Sequence, residues 1–171
     1  MSSKNRQPDP NSIFFQQVSV SESIAQTEAQ MATPEPRPAE RAIVYCEGHL
    51  DKASGEITHG LLRYTDKYKI VSIIDDENAG KDSGKLLNNE ANEIPIFRNL
   101  GTALAQAGRT PAYCVFGYTP VDGELSELEK RVILRAIGYR MNIACSLHES
   151  LNADPEFADA AAEKNVVITD V

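Results

Sequence analysis

The sequence predicts an α/β fold, a Rossmann-like doubly wound parallel sheet of about six strands preceded by a disordered N-terminal tail. Three observations predict it. Short apolar runs alternate with helix-like segments from Arg41 onward, the pattern of successive right-handed βαβ units. The apolar runs are nearly continuous rather than alternating, as in strands covered by helices on both faces. Residues 1–40 differ from the rest: they hold five of the nine prolines (Pro8, Pro10, Pro34, Pro36, Pro38), no glycine, and much Ser and Gln.

The elements follow in order. Residues 1–40 read as a flexible Pro-rich tail, and 41–171 as the Rossmann-like domain. Within the tail, Thr33 to Glu40 is an extended spacer, because each Pro fixes its own φ and restrains the residue before it. Ahead of it lies an apolar island, Ser12-Ile-Phe-Phe-Gln-Gln-Val-Ser-Val20. That island is either a frayed stretch or a tethered docking segment. Arg41 to Cys46 is a first strand. Ser54 to Tyr64 is a helix with Leu61 and Leu62 on its apolar side. Tyr68 to Ile74 is a strand rich in β-branched residues. Ile94 to Phe97 is a short strand whose Pro95 suits an edge. Arg98 to Ala107 is a helix closed by Gly108. Pro111 to Phe116 is the fourth strand. Glu124 to Arg140 is the longest helix, striped by Leu125, Leu128, Val132, Leu134 and Ile137. Met141 to Cys145, a helix over Pro155 to Lys164 capped by Asp154, and Val166 to Thr169 complete the series.

Composition narrows the function. With 17 Lys+Arg against 25 Asp+Glu, the chain of 171 residues carries a net charge of −8. That acidity disfavours nucleic acid or an anionic membrane as partner. No apolar run is long enough for a transmembrane helix, and the N-terminus has no secretory h-region. Three cysteines cannot all pair within one chain, so a reduced, cytoplasmic protein is expected.

Ligands of such a sheet bind outside the carboxyl ends of its strands. That rule selects the loops Glu47 to Ala53, Asp75 to Gly84, Gly117 to Gly123 and Ser146 to Asn152. A dinucleotide fingerprint needs Gly-x-Gly-x-x-Gly after the first strand. Here Gly48, Gly55 and Gly60 are too far apart, and Glu47 and Asp51 would repel a pyrophosphate. Asp75 and Asp76 stand where a ribose-binding acid would, but without the Gly fingerprint they read as a solvated turn. Asp75 to Gly84 lacks the last ligand and the flanking helices of a calcium loop; it reads as a mobile turn in which Lys81, Asp82 and Ser83 could touch a small polar ligand. Cys46-x-x-His49 and Cys145-x-x-His148 look like zinc ligands, but in a 3-2-1-4-5-6 order their strands are about 9–10 Å apart. Neither metal nor cofactor is expected. No nucleophile–base pair is legible.

One ordered series of motifs carries a resemblance: Glu47-Gly48, Gly60-Leu-Leu-Arg-Tyr64, Ile74-Asp75 with Ala79-Gly-Lys-Asp-Ser-Gly84, Ile94-Pro-Ile96, Gly117-Tyr-Thr-Pro120 with Gly123, Leu147-His-Glu149, and Asp154-Pro-Glu156. It resembles the N-terminal Rossmann-like domain of a two-domain P-loop family that includes D-glutamate N-acetyltransferases of D-amino-acid metabolism. The resemblance runs from Arg41 to Val171. It implies a C-terminal P-loop domain, whose Gly-x-x-x-x-Gly-Lys-[Ser/Thr] loop does not occur in this chain. Where family members carry Lys-Thr-Ala, this chain has Glu56-Ile57-Thr58, which reverses a charge.

Together these readings give a non-catalytic binding or accessory domain related to those acetyltransferases. It would bind a small polar metabolite, such as an amino acid, or a P-loop partner. The ligand-binding set is Glu47, Gly48, Arg63, Asp75, Lys81, Tyr118 and His148. The alternatives are a self-assembling homo-oligomeric subunit that uses its tail, and a stand-alone acyltransferase or NAD-dependent enzyme.

Overall fold

In the computed structural model the chain divides into two units, residues 1–37 and 38–171. The structure describes residues 38–120, 123–146 and 150–170. Residues 1–37 of the tail, with its apolar island, and His148 lie outside the described residues; Glu40, read as the end of the spacer, begins the first strand.

The strands are β1 (Glu40–Tyr45), β2 (Tyr68–Ile74), β3 (Ile96–Phe97), β4 (Tyr113–Phe116), β5 (Asn142–Cys145) and β6 (Ile168–Asp170). The helices are α1 (Glu56–Tyr64), α2 (Ser83–Asn88), α3 (Leu100–Gln106), α4 (Glu127–Gly138) and α5 (Pro155–Lys164). All six strands are parallel, in the order β3-β2-β1-β4-β5-β6. The order reverses between β1 and β4, which places the switch point there.

Alternate residues of each strand serve two cores, one per sheet face. On one face Ile43, Tyr45, Cys114, Phe116 and Ile143 pack with α3, α4 and α5 through Leu100, Ile133, Ile137 and Phe157. On the other, Ala42, Val44, Cys46, Ile73 and Val115 pack with α1 and α2 through Leu61, Leu62, Leu86 and Leu87. This two-sided burial is why the strands read as continuous apolar runs.

Caps set the helix ends. Asn99 with Thr102, and Ser126 with Glu129, form capping boxes at α3 and α4. They start those helices two and three residues later than the apolar pattern predicts. Asp154 accepts the Glu156 N–H at 2.9 Å, with Pro155 at the first position of α5. Asn165 closes α5 at φ 55°, so β6 begins only at Ile168.

The stretch read as a mobile turn is different in the structure: it leads into α2. Asp82 caps that helix by accepting from Lys85 N at 3.0 Å, and Asn89 ends it in the left-handed region. Ser83 is buried and donates to Asn92 Oδ1 at 3.0 Å. Gly84 is required inside the helix, because a Cβ there would lie 2.3 Å from the Glu90 carbonyl oxygen. Residues 80–82 also shield the β3 edge, through Gly80 N to Ile96 O and a bridge between Asp82 and Pro95. No helix among the described residues is long and apolar enough to cross a membrane.

All three thiols are buried. Burial pushes Cys46, Cys114 and Cys145 each up to about 12. They are therefore protonated at neutral pH and unsuited to act as thiolates. A thiol-reactive aromatic disulfide is expected to label the native protein at least about 100-fold more slowly than the urea-unfolded protein, because labelling must await opening. Equal rates in the two states would contradict this burial.

Candidate functional site

The carboxyl edge of the sheet is assembled from the loops after β1, β2 and β4. Glycines set its closest approaches. Gly48 turns the chain after β1 at φ 67°. Gly55 packs so tightly that a Cβ would lie 2.3 Å from the His49 carbonyl oxygen. Gly117, just after β4, would place a Cβ 1.9 Å from Thr58 Oγ1.

That last contact closes the switch point. The Gly117 carbonyl accepts both the Thr58 N–H at 3.0 Å and the Thr58 hydroxyl at 2.9 Å. Thr58 is completely buried. Gly55 N is bonded to Lys52 O, and Glu56 N to Ala53 O. Three amides at the start of α1 are therefore engaged within the protein, and Glu56 adds negative charge beside them. A pyrophosphate would need those same groups.

The acids gather one strand away. Asp75 directly follows β2 and is fully buried. Its Oδ2 accepts from Leu50 N at 3.3 Å and Asn78 Nδ2 at 3.2 Å, while its Oδ1 has no partner. Asn78 in turn accepts from Lys81 Nζ at 2.7 Å, so Asp75 and Lys81 are joined through one amide. Asp76 pairs with Arg98 at 3.2 Å, and Glu77 with Lys52 at 3.3 Å. Glu47 takes only a 3.4 Å bond from Asp76 N. No cation among the described residues pairs with it. Burial pushes its carboxyl above the usual range, and the charges of Asp75, Asp76 and Glu77 push the same way.

Over β1 and β4 lies an aromatic stack. The His49 ring lies on Tyr118, 4.1 Å between centroids at 16°. Tyr118 is buried and donates its hydroxyl to Glu129, whose other oxygen accepts Ser126 N at 2.5 Å. Burial and that bond keep the Tyr118 hydroxyl protonated. His49 Nδ1 lies 2.7 Å from Ser54 Oγ, and His59 Nε2 donates to Leu50 O at 2.6 Å.

The structure thus brings Glu47, Gly48, Asp75 and Lys81 together at the ends of β1 and β2. Asp75 sits beneath that surface rather than on it. Tyr118 stands at the same edge, buried under His49 with its hydroxyl engaged. Arg63 is not on the rim: α1 runs back from the edge, and Arg63 occupies its last turn, about 10 Å further down. Thr58, Asn78, Glu129 and the His49–Ser54 pair have no counterpart in the sequence reading. Only the five-residue spacing of His49 and Ser54 in one loop hinted at the last. Beside Lys81, a groove of about 350 Å³ runs past Pro95, Phe97, Arg98 and Thr102. Among the described residues, no group of three or more His, Cys, Asp or Glu is arranged to hold a metal ion.

Comparison with known proteins places the chain in a family, through residues that begin after β2. Residues 76–171 match a family described as a Rossmann-like domain of unknown function, DUF1611_N. A crystal structure of a DUF1611 family protein from Anabaena variabilis ATCC 29413 superposes with a TM-score of 0.68 at 22% identity, over 78% of this chain and 36% of that one. An S. aureus homoserine dehydrogenase gives a TM-score of 0.48 at 12% identity, over 78% of this chain and 33% of that one. The chain thus spans about a third of the length of these solved structures. No curated protein matches it.

Proposed function

The chain belongs to the DUF1611_N family of Rossmann-like domains, and from that premise we propose that it is a binding domain for a small, amino-bearing polar metabolite, held at the ends of β1 and β2. One observation carries the reading. Glu47 faces Asp75, Asp76 and Glu77 with no paired cation among the described residues, and its carboxyl is held above its ordinary range. A ligand ammonium supplies the missing charge. Lys81, tethered to Asp75 through Asn78, is the cation for the ligand's carboxylate. An amino acid has both groups. The closed switch point turns the site away from dinucleotides, whose phosphates would meet engaged amides and carboxylates. The resemblance to D-glutamate N-acetyltransferases supports D-glutamate as the first amino acid to test. The solved relative is almost three times as long as the segment shared with it. We therefore assign this domain an accessory role, with a P-loop partner domain completing the pocket.

Linkage gives the test. Folded Glu47 retains its proton above the ordinary 4.5. Between 4.5 and its raised value the native state binds more protons than the unfolded one, so stability falls as pH rises through that window. Thermal unfolding followed against pH should show this loss in the wild-type chain and a smaller loss in Glu47→Gln. D- or L-glutamate should restore part of it in the wild type only. A profile unchanged by Glu47→Gln, with no effect of either ligand, would refute the proposal.

A further inference from the structure

We propose that Ser54 is an activated nucleophile with His49 as its base, and that the pair cleaves small neutral esters. The proposal stands apart from the amino-acid site: it rests on the loop after β1 and needs neither Glu47 nor Lys81.

The geometry carries it. Ser54 Oγ lies 2.7 Å from His49 Nδ1, within proton-transfer reach. The imidazole is held by its ring face, which stacks on Tyr118 at 4.1 Å. Tyr118 is itself fixed by its bond to buried Glu129. The loop between the two residues is rigid, with Lys52 N bonded to His49 O and Gly55 N to Lys52 O, and with Leu50 anchored to Asp75 and His59. Ser54 is exposed and His49 half-buried, so a substrate reaches the hydroxyl while the base is kept in place. With its hydrogen on Nε2, the ring presents Nδ1 as acceptor to the Ser54 O–H.

Charge selects the substrate class. Asp51 and Glu56 flank Ser54, and the loop's one cation, Lys52, is paired with Glu77 at 3.3 Å, so a phosphoryl or carboxylate-bearing group is repelled and an uncharged acyl carbonyl is not. Ser54 Oγ adds to the ester carbonyl carbon as its proton passes to His49 Nδ1. The carbon–oxygen bond to the alcohol then breaks, and the imidazolium returns that proton to the leaving alkoxide. A water, deprotonated by the same Nδ1, cleaves the acyl-Ser54 ester. The products are an alcohol and a carboxylic acid, with Ser54 restored.

The test uses the full chain and p-nitrophenyl acetate, with peptide mapping by mass spectrometry and release of nitrophenol. The expected result is acetylation of Ser54 and a burst of nitrophenol. His49→Phe keeps a ring over Tyr118 and removes the base. It should slow Ser54 acetylation about 100-fold, the lower range of what a positioned base contributes. His49→Gln is a second base-free variant should the Phe variant fold poorly. Ser54→Ala should abolish the burst. Acetyl groups found only on lysines, or a Ser54 rate unaffected by removing His49 from a folded variant, would overturn the proposal.

Discussion

Gly117→Ala is expected to destabilise the fold by about 3 kcal/mol or more, the upper range for overpacking a tight site. The added Cβ would lie 1.9 Å from Thr58 Oγ1 and 2.6 Å from Val44 Cγ1. Neither atom can retreat easily. Val44 is in the central strand and fully buried. Thr58 holds the Gly117 carbonyl through both its amide and its hydroxyl. Displacing the helix loosens both of those bonds, at about 1 kcal/mol each. Thr58→Ala alone should cost about 1–2 kcal/mol, because its backbone bond to Gly117 survives. The double variant should be more stable than the sum of the two losses, since removing Oγ1 relieves the worst contact. Urea denaturation of the four proteins measures this directly. A Gly117→Ala variant within about 0.5 kcal/mol of wild type would show that the switch point is not closed as described.

Phe116→Ala should be of similar size, about 3–5 kcal/mol. Phe116 is 1% exposed and ends β4, against Tyr45 at 4.9 Å between ring centroids. Tyr45 reaches Tyr118 in turn, at 6.2 Å. Removing the Phe116 ring leaves a void directly under the layer that carries Tyr118 and His49. The loss of stability should therefore come with a weakened near-ultraviolet tyrosine signal. Phe116→Leu keeps most of the volume and should cost under about 1.5 kcal/mol. Equal losses for the Ala and Leu variants would point to the aromatic contact rather than the cavity.

Much of the fold was legible because burial on both faces writes each strand as a single apolar run. The βαβ alternation and its handedness made the sheet parallel, while the strand order came only with the choice of a Rossmann-like fold. Helix ends were less legible, since Asn99, Ser126 and Asn165 act through cap geometry that leaves the apolar stripe unchanged. Helix α2 escaped notice for another reason. Its six residues are too few for a periodic pattern, and Gly84 reads as a turn until Glu90 and Asn92 are seen against it.

The candidate site was legible only as a set of strand ends. Position along the chain places Glu47 and Asp75 at the edge, but it does not say that Asp75 turns inward to hold Leu50 and Asn78. The sequence reading puts Arg63 on the rim, although the predicted helix over Ser54 to Tyr64 already carries it to the far end, away from the edge. The partnering of Thr58 with Gly117, 59 residues apart, and of His49 with Tyr118 exists only in the folded sheet.

The central claim is that this edge takes an amino-bearing ligand at Glu47 and has no room for a dinucleotide at its switch point. Isothermal calorimetry of the full chain against D- and L-glutamate, acetyl-CoA, ATP and NAD tests it most directly. The account predicts heat from an amino acid at millimolar concentration, lost in Glu47→Gln, and none from NAD or ATP. Micromolar binding of NAD or ATP with no amino-acid binding would contradict it.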